Sequence, residues 1–299
     1  INLIPLMEAQ ASNEIENIVT TNDELFKAAH GALTQPTPQV KEALRCCEAL
    51  RVGVESLTSR PLTKQTAIDI CSRLLGRPSI IRNTPGTYIG TPMNRKRIYT
   101  PPEGREIILD HLSAWEKFLH GDHGVDPLVV MALAHYQFEA IHPFFDGNGR
   151  TGRILNLLTL IETGLLELPI LYLSGHIVRH KDEYYSLLNA VTRSDEWEPW
   201  ILFMLTGEAT DGLRGTVEHD IRRIRPKLPA GELTRLLFTQ PYLRIENVVD
   251  AGLAQRQTAS KWLNELATTG LIAKEKIGRN VVYINQKLLN ELFTTPLPD

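Results

Sequence analysis

The sequence predicts a mainly α protein with one small β-hairpin, followed by a separate C-terminal module of mixed α and β structure. Three observations predict it. Apolar residues recur at helical spacing from Val40 to Leu205, and strand-like alternation interrupts them only between Ile80 and Pro102. A charged, proline-bounded stretch, 218–230, then separates that body from three helix-sized segments and an alternating pair of strands.

Taken in order, Glu8 to Val19 place Ile15, Ile18 and Val19 on one stripe of a short amphipathic helix, with Ser12 and Glu16 one turn apart along its margin. Pro and Thr between Gln35 and Pro38 mark a loop. Pro38 to Val54 then reads as a helix with Val40, Ala43, Leu44, Cys47 and Leu50 on one face, and Leu62 to Leu75 as another, closed at Gly76. Thr87-Tyr88-Ile89-Gly90, a turn-prone Thr91 to Arg95, and Arg97-Ile98-Tyr99-Thr100 read as the hairpin.

Ile107 to His120 returns to helical spacing, and Asp126 to Ile141 reads as a buried amphipathic helix that Pro143 stops. Arg150 to Gly164 resumes the helical pattern. Further on, Leu171 to Ile177 is apolar, Tyr184-Tyr185 open a helix carrying Leu187, Leu188 and Val191, and Trp197, Trp200, Phe203 and Leu205 close the body.

Composition narrows the class. Of the 299 residues 42% are hydrophobic and 22% charged, as in an ordinary soluble globular protein, and the formal net charge of -3 provides no global basic field for nucleic acid or membrane. No apolar run approaches the roughly 20 residues of a membrane span, so no membrane contact is expected. The three cysteines, Cys46, Cys47 and Cys71, show no CxxC spacing, which argues against a disulfide scaffold or zinc site and for a reducing, cytoplasmic setting.

The densest chemistry lies in Ile141-His142-Pro143-Phe144-Phe145-Asp146-Gly147-Asn148-Gly149-Arg150-Thr151-Gly152-Arg153, where a loop joins two helices. Gly147 and Gly149 permit a tight loop whose free N–H groups, at the positive end of the following helix, suit a phosphate. Arg150 and Arg153 lie in the first turn of that helix, where cations are unfavourable unless an anion joins them. Asp146 offers hard oxygen for Mg²⁺, and His142 a ring that titrates near neutrality, as a general base for a hydroxyl requires. Together these imply transfer from a nucleotide.

His142 to Arg153 matches, at every specified position, the His-Pro-Phe-x-Asp-Gly-Asn-Gly-Arg-x-x-Arg signature of the Fic (Fic/Doc) family, and on those residues the chain resembles that family. The resemblance implies a Fic-type helical bundle over 36–217 whose hairpin is a flap, and AMP transfer from ATP to a Ser, Thr or Tyr hydroxyl of a target protein or of the chain itself. It makes His142 the base, Asp146 the ligand of Mg²⁺ or Mn²⁺, and Gly147, Asn148, Gly149, Arg150, Thr151, Gly152 and Arg153 the phosphate site. It also implies Tyr184 and Tyr185 near the adenine, Ile89 and Gly90 at the flap, and a homodimer. Relatives that act as kinases carry a lysine in place of Gly149.

Within the N-terminal segment, 1–35, whose helix spans 8–19, Ser12-Asn13-Glu14-Ile15-Glu16-Asn17 fits the [Ser/Thr]-x-x-x-Glu-[Gly/Asn] inhibitory motif of some Fic proteins. By that resemblance Glu16 would occupy the Arg153 guanidinium that should hold the γ-phosphate.

The final module, 231–299, has helices over Glu232–Phe238, Arg244–Asp250 and Gln255–Thr268, then Ile272 to Ile284 alternating across a Gly278 turn. It resembles a winged helix-turn-helix with Arg256, Gln257, Ser260 and Lys261 facing a groove. Its 8 Lys and Arg against 7 Asp and Glu give only +1, weak for DNA, so DNA or a docked protein remain its candidate partners. A DNA-binding regulator with a nucleotide-sensing core is the competing expectation, which an intact His142 disfavours because a sensor needs no base.

Overall fold

The computed structural model describes residues 3–29, 35–90, 97–166, 169, 171–206, 210–239, 242–277 and 280–285. Two compact units result, one from Pro5 to Gly207 and one from Glu208 onward.

The first unit is helical, as expected. Its helices are α1 (Leu3–Ile15), α2 (Asn22–Ala29), α3 (Pro38–Leu57), α4 (Lys64–Leu75), α5 (Arg105–Leu119), α6 (Pro127–Ile141), α7 (Asn148–Glu162), α8 (Leu173–Arg179), α9 (Lys181–Ser194) and α10 (Trp197–Thr206). Their boundaries follow local chemistry. Thr37 caps α3 by accepting from the Val40 N–H at 3.3 Å, with Pro38 in the first turn where its missing donor costs nothing. A Thr63–Thr66 capping box starts α4, and Gly76 ends it in the left-handed region at φ 66°. Asp126 caps α6 through the Leu128 N–H at 2.8 Å.

The central element is α7, buried along nearly its whole length from Asn148 to Leu160. It packs against α3, α4 and α6, so Leu155, Leu157 and Leu158 share one core with Ile70, Met131 and Phe138. Two indoles fix the surroundings: Trp115 donates to the Ala134 carbonyl at 3.0 Å and Trp200 to the Ala132 carbonyl at 2.9 Å.

Strands β1 (Ile89–Gly90) and β2 (Arg97–Tyr99) pair antiparallel, Ile89 against Tyr99 and Gly90 against Arg97, with a register irregularity between the two pairs. This is the expected hairpin; its turn, Thr91 to Arg95, lies outside the described residues. Tyr99 pins the hairpin to α6 by donating its hydroxyl to the Ala140 carbonyl at 2.9 Å.

Three boundaries differ from expectation. The N-terminal helix, expected over 8–19, runs Leu3–Ile15, because the chain turns at Glu16 and Asn17 takes φ 61°. Helix α2, unforeseen, adds Leu25 to a small cluster with Leu6, Val40 and Ala43. The 218–230 stretch, expected as a linkage, is helical in its first half, and the division between units falls earlier, after Gly207. Charge at Arg222 and Arg223 masked an amphipathic helix that buries Val217 and Ile221 on its other side.

The second unit contains α11 (Thr210–Ile224), α12 (Ala230–Thr239), β3 (Tyr242–Leu243), α13 (Ile245–Asp250), α14 (Arg256–Thr268), β4 (Ala273–Ile277) and β5 (Asn280–Ile284). Its antiparallel sheet has the order β3-β5-β4, so the expected two-stranded wing gains a third strand. Leu233, Leu237, Val248, Leu263 and Tyr283 are buried within it. The turn at Gly278 and everything after Asn285 lie outside the described residues. Among the described residues, no helix is long and apolar enough to cross a membrane.

Candidate active site

The site forms where α6 stops and α7 begins. His142 ends α6 in the left-handed region, φ 49° and ψ 59°, its N–H still bonded to the Phe138 carbonyl at 3.0 Å. For a residue with a Cβ that conformation is unfavourable and must be enforced from outside. Arg82 enforces it. Wholly buried, its guanidinium donates to the His142 carbonyl at 2.7 Å, to Pro102 at 2.6 Å and to Ile141 at 3.2 Å, while its backbone N–H reaches Pro143 at 3.0 Å. Burial, then the Arg82 charge, push the His142 imidazole down to about 4, so it is a neutral ring able to accept a proton at neutral pH.

The loop that follows is bonded to itself. Asn148 Oδ1 accepts from the Phe144 N–H and its Nδ2 donates to the Phe144 carbonyl, each at 2.8 Å. Gly147 takes φ 80°, a conformation glycine adopts without strain, and its N–H donates to Asp146 Oδ1 at 2.6 Å. The Asp146 side chain is otherwise 60% exposed at the loop tip.

The two arginines part company. Arg150 is buried and engages Glu42 and Asn13, the latter at 3.2 Å, with Asp146 Oδ1 3.4 Å away. Arg153 has only 2% of its side chain exposed and meets α1: Nε donates to Ser12 Oγ at 2.9 Å, and Nη2 to the Ser12 carbonyl at 2.9 Å and to Glu16 Oε1 at 2.8 Å. Burial works against the Glu16 charge, yet Arg153 outweighs it and holds the carboxyl below its ordinary value.

A cavity of about 610 Å³ opens beside these groups, within the size range of a small-molecule site. Glu16, His142, Gly149 and Arg153 line it together with Tyr184, Tyr185 and Asn189 of α9 and Ile89 and Tyr99 of the hairpin. Tyr184 is buried, bonded through its hydroxyl to His135 at 2.8 Å, and meets Tyr185 edge to face at 5.2 Å; Tyr185 is 42% exposed.

Three family models match the chain in succession: the Fic/DOC family N-terminal model over residues 1–55, the Fic/DOC family model over 61–160, and the model for the C-terminal domain of SoFic-like protein adenylyltransferases over 213–288. The chain belongs to the Fic/DOC family. The Fic motif helix is α7, and the family's N-terminal model takes in α1.

Among curated Fic proteins, protein adenylyltransferase Fic of Nematostella vectensis is 31% identical over 171 residues, 54% of this chain and 36% of that protein. The same-named protein of Aedes aegypti is 29% identical over 153 residues, 48% of this chain and 27% of that protein. The chain thus spans only about a quarter to a third of the length of these curated relatives. A Fic family protein from Desulfovibrio desulfuricans G20 shares the fold with TM-score 0.59 and 21% identity, covering 94% of this chain and 86% of its own. Fic-1 from C. elegans does so with TM-score 0.54 and 24% identity, covering 69% and 60%.

Of the residues expected in the Fic site, the cavity brings together His142, Gly149, Arg153, Tyr184, Tyr185, Ile89 and Glu16. Others sit differently. The Asn148 side chain holds the loop backbone instead of facing the cavity, because both its polar ends are taken up by Phe144. Arg150 points away to Glu42 and Asn13, Thr151 is wholly buried, and Gly152 faces α6. Gly90 is in the hairpin ladder, opposite Arg97.

Four residues escaped the sequence reading: Arg82, Glu42, Asn189 and Glu139. Arg82 and Glu42 act across 60 and 108 residues of chain, so no local pattern exposes them. Glu139 carried a signal, since it is the one acid in α6 and stands one turn before His142.

Proposed function

We propose that the chain is a protein adenylyltransferase that transfers AMP from ATP to a protein hydroxyl and is restrained by Glu16. The neutral His142 ring on the edge of the nucleotide-sized cavity is the observation that carries this reading. His142 takes the proton of the acceptor hydroxyl, that oxygen bonds to the α-phosphorus, and the bond to the β-phosphate oxygen breaks with pyrophosphate leaving. The product is an AMP ester of the target. The α7 N-terminus and Arg153 hold the phosphates, while Tyr184 and Tyr185 flank the base.

Asp146 is the residue to hold Mg²⁺ or Mn²⁺. Its exposed carboxylate fits a cation bound through one acidic side chain plus substrate phosphates, and no cluster of three or more metal-ligating side chains occurs among the described residues. When bound, the ion offsets charge on the leaving pyrophosphate.

The restraint by Glu16 is supported by its ion pair with Arg153, which removes the guanidinium from a terminal phosphate. The β1–β2 hairpin, pinned beside the cavity by Tyr99, is suited to hold an extended target segment by strand pairing. Self-modification and homodimerisation stay within this proposal as further expectations.

DNA binding through 231–299 is the second reading. Arg256, at the start of α14, is exposed yet paired with Glu246 at 2.7 Å, which weakens the case for phosphate contact there. Incubating the full chain with labelled ATP, Mg²⁺ and a cell lysate tests the proposal: AMP esters identified by mass spectrometry support it, and salt-sensitive DNA retention with no label supports the regulator instead.

A further inference from the structure

Glu139 has no part in the transfer scheme above, and its surroundings are not those of a structural acid. Its carboxyl lines the cavity on the same side of α6 as His142. Oε1 is shut off from solvent without a hydrogen-bond partner among the described residues. That oxygen is packed against Gly152, so the carboxyl is held in place by the close approach of the two helices and not by an ion pair, while the residue itself lines the cavity.

The carboxyl is placed by a close approach of α6 and α7. A Cβ on residue 152 would lie 2.5 Å from Glu139 Oε1 and 3.4 Å from the His135 ring, so only glycine leaves room for it. From there its field reaches Arg153, Tyr184 and Tyr185. Arg153 is bonded to Glu16 and Ser12, so Glu139 is not consumed by an ion pair.

We propose that Glu139 is a specificity-determining residue that hydrogen-bonds the ribose hydroxyls of the bound nucleotide. This rests on the ATP reading of the site. With the base beside Tyr184 and Tyr185 and the phosphates on Arg153 and the α7 N-terminus, the sugar occupies the same cavity that Glu139 helps to line. Vicinal hydroxyls are donors and a carboxyl oxygen accepts, the pairing that acidic residues use to read ribose in dinucleotide folds. Burial also pushes this carboxyl up to about 7, so a neutral fraction persists at neutral pH and repulsion of the phosphates is softened.

Calorimetric titration of the full chain tests this, using a parent carrying Glu16→Gly to free Arg153 and His142→Ala to prevent turnover. ATP, 2′-deoxy-ATP and 3′-deoxy-ATP are compared. The parent is expected to bind ATP about tenfold more tightly than at least one deoxy analogue, because a site built to bond a hydroxyl rejects a ligand lacking it. Adding Glu139→Ala should bring ATP and that analogue to within about twofold by weakening ATP alone, and the near-isosteric Glu139→Gln, which preserves the packing, should narrow the ratio as well. Equal binding of all three by the parent, or an unchanged ratio in both Glu139 variants, overturns the assignment to the sugar. A parent that binds no ATP overturns the nucleotide reading itself, a result distinct from loss of sugar discrimination.

Discussion

Glu16 Oε1 lies 2.8 Å from Arg153 Nη2, and a Cβ added to Gly149 would fall 2.5 Å from that same carboxylate oxygen. The acid therefore rests on the first turn of α7, over the N–H groups that a phosphate would approach. Ser12 reinforces the contact from one turn earlier, and α1 delivers both because its own polar face is anchored: Glu8 accepts from the Ser174 N–H at 2.9 Å and Asn13 meets Arg150 at 3.2 Å.

Releasing that carboxylate should strengthen ATP binding. The Glu16 side chain is 34% exposed, so the pair is partly screened and its contribution is about 1 kcal/mol, which corresponds to about a fivefold change in affinity. Calorimetry should show Glu16→Gly binding ATP at least several-fold more tightly than the unaltered chain. Equal affinity would remove the competition between Glu16 and a terminal phosphate.

The His142 ring should stay neutral well into the acid range. Its folded value of about 4 lies below the ordinary 6.5, so the folded state declines a proton that the unfolded chain accepts between those limits. Its contribution to stability is therefore present above pH 6.5 and is lost as pH falls toward 4. Proton titration of ring carbon-labelled histidines by NMR, with His142 assigned by its absence in His142→Ala, should give a midpoint near 4. A midpoint near 6.5 would mean the ring is solvated and not held as described.

Arg82 should matter for both stability and rate, although it is remote from the phosphate site. Removing its donors leaves the Ile141, His142 and Pro102 carbonyls unsatisfied, and hydrogen bonds to a charged group are worth about 1.5–3 kcal/mol each before relaxation. Arg82→Met is expected to lower the melting temperature by several degrees and to reduce kcat, because the left-handed His142 loses its restraint. A folded variant with full activity would show that Pro143 and the α6 end suffice to position the ring.

How much of this could be read from the chain depended on distance along it. The helices, the hairpin and the loop between His142 and Arg153 follow from periodicities and turn residues that act locally, and Thr37, Gly76 and Asp126 mark ends where the structure has them. Helix α11 was hidden by the charge on its exposed face. Within the site, residue types announced chemistry without direction: Arg150 and Arg153 stand three apart, yet one turns to Glu42 and the other to Glu16, partners chosen by how α1 and α3 pack on α7. Asn148 was similarly diverted to bracing its own loop. Only tertiary packing could reveal that Arg82 grips the His142 carbonyl or that Glu139 lines the cavity.

The central claim is that His142 performs transfer while Glu16 withholds it. The most direct measurement is incorporation of label from α-labelled ATP into protein by the unaltered chain, Glu16→Gly and His142→Ala, side by side with Mg²⁺ in one lysate. The account predicts weak labelling by the first, several-fold more or greater by the second and none by the third. Undiminished labelling by His142→Ala would contradict it.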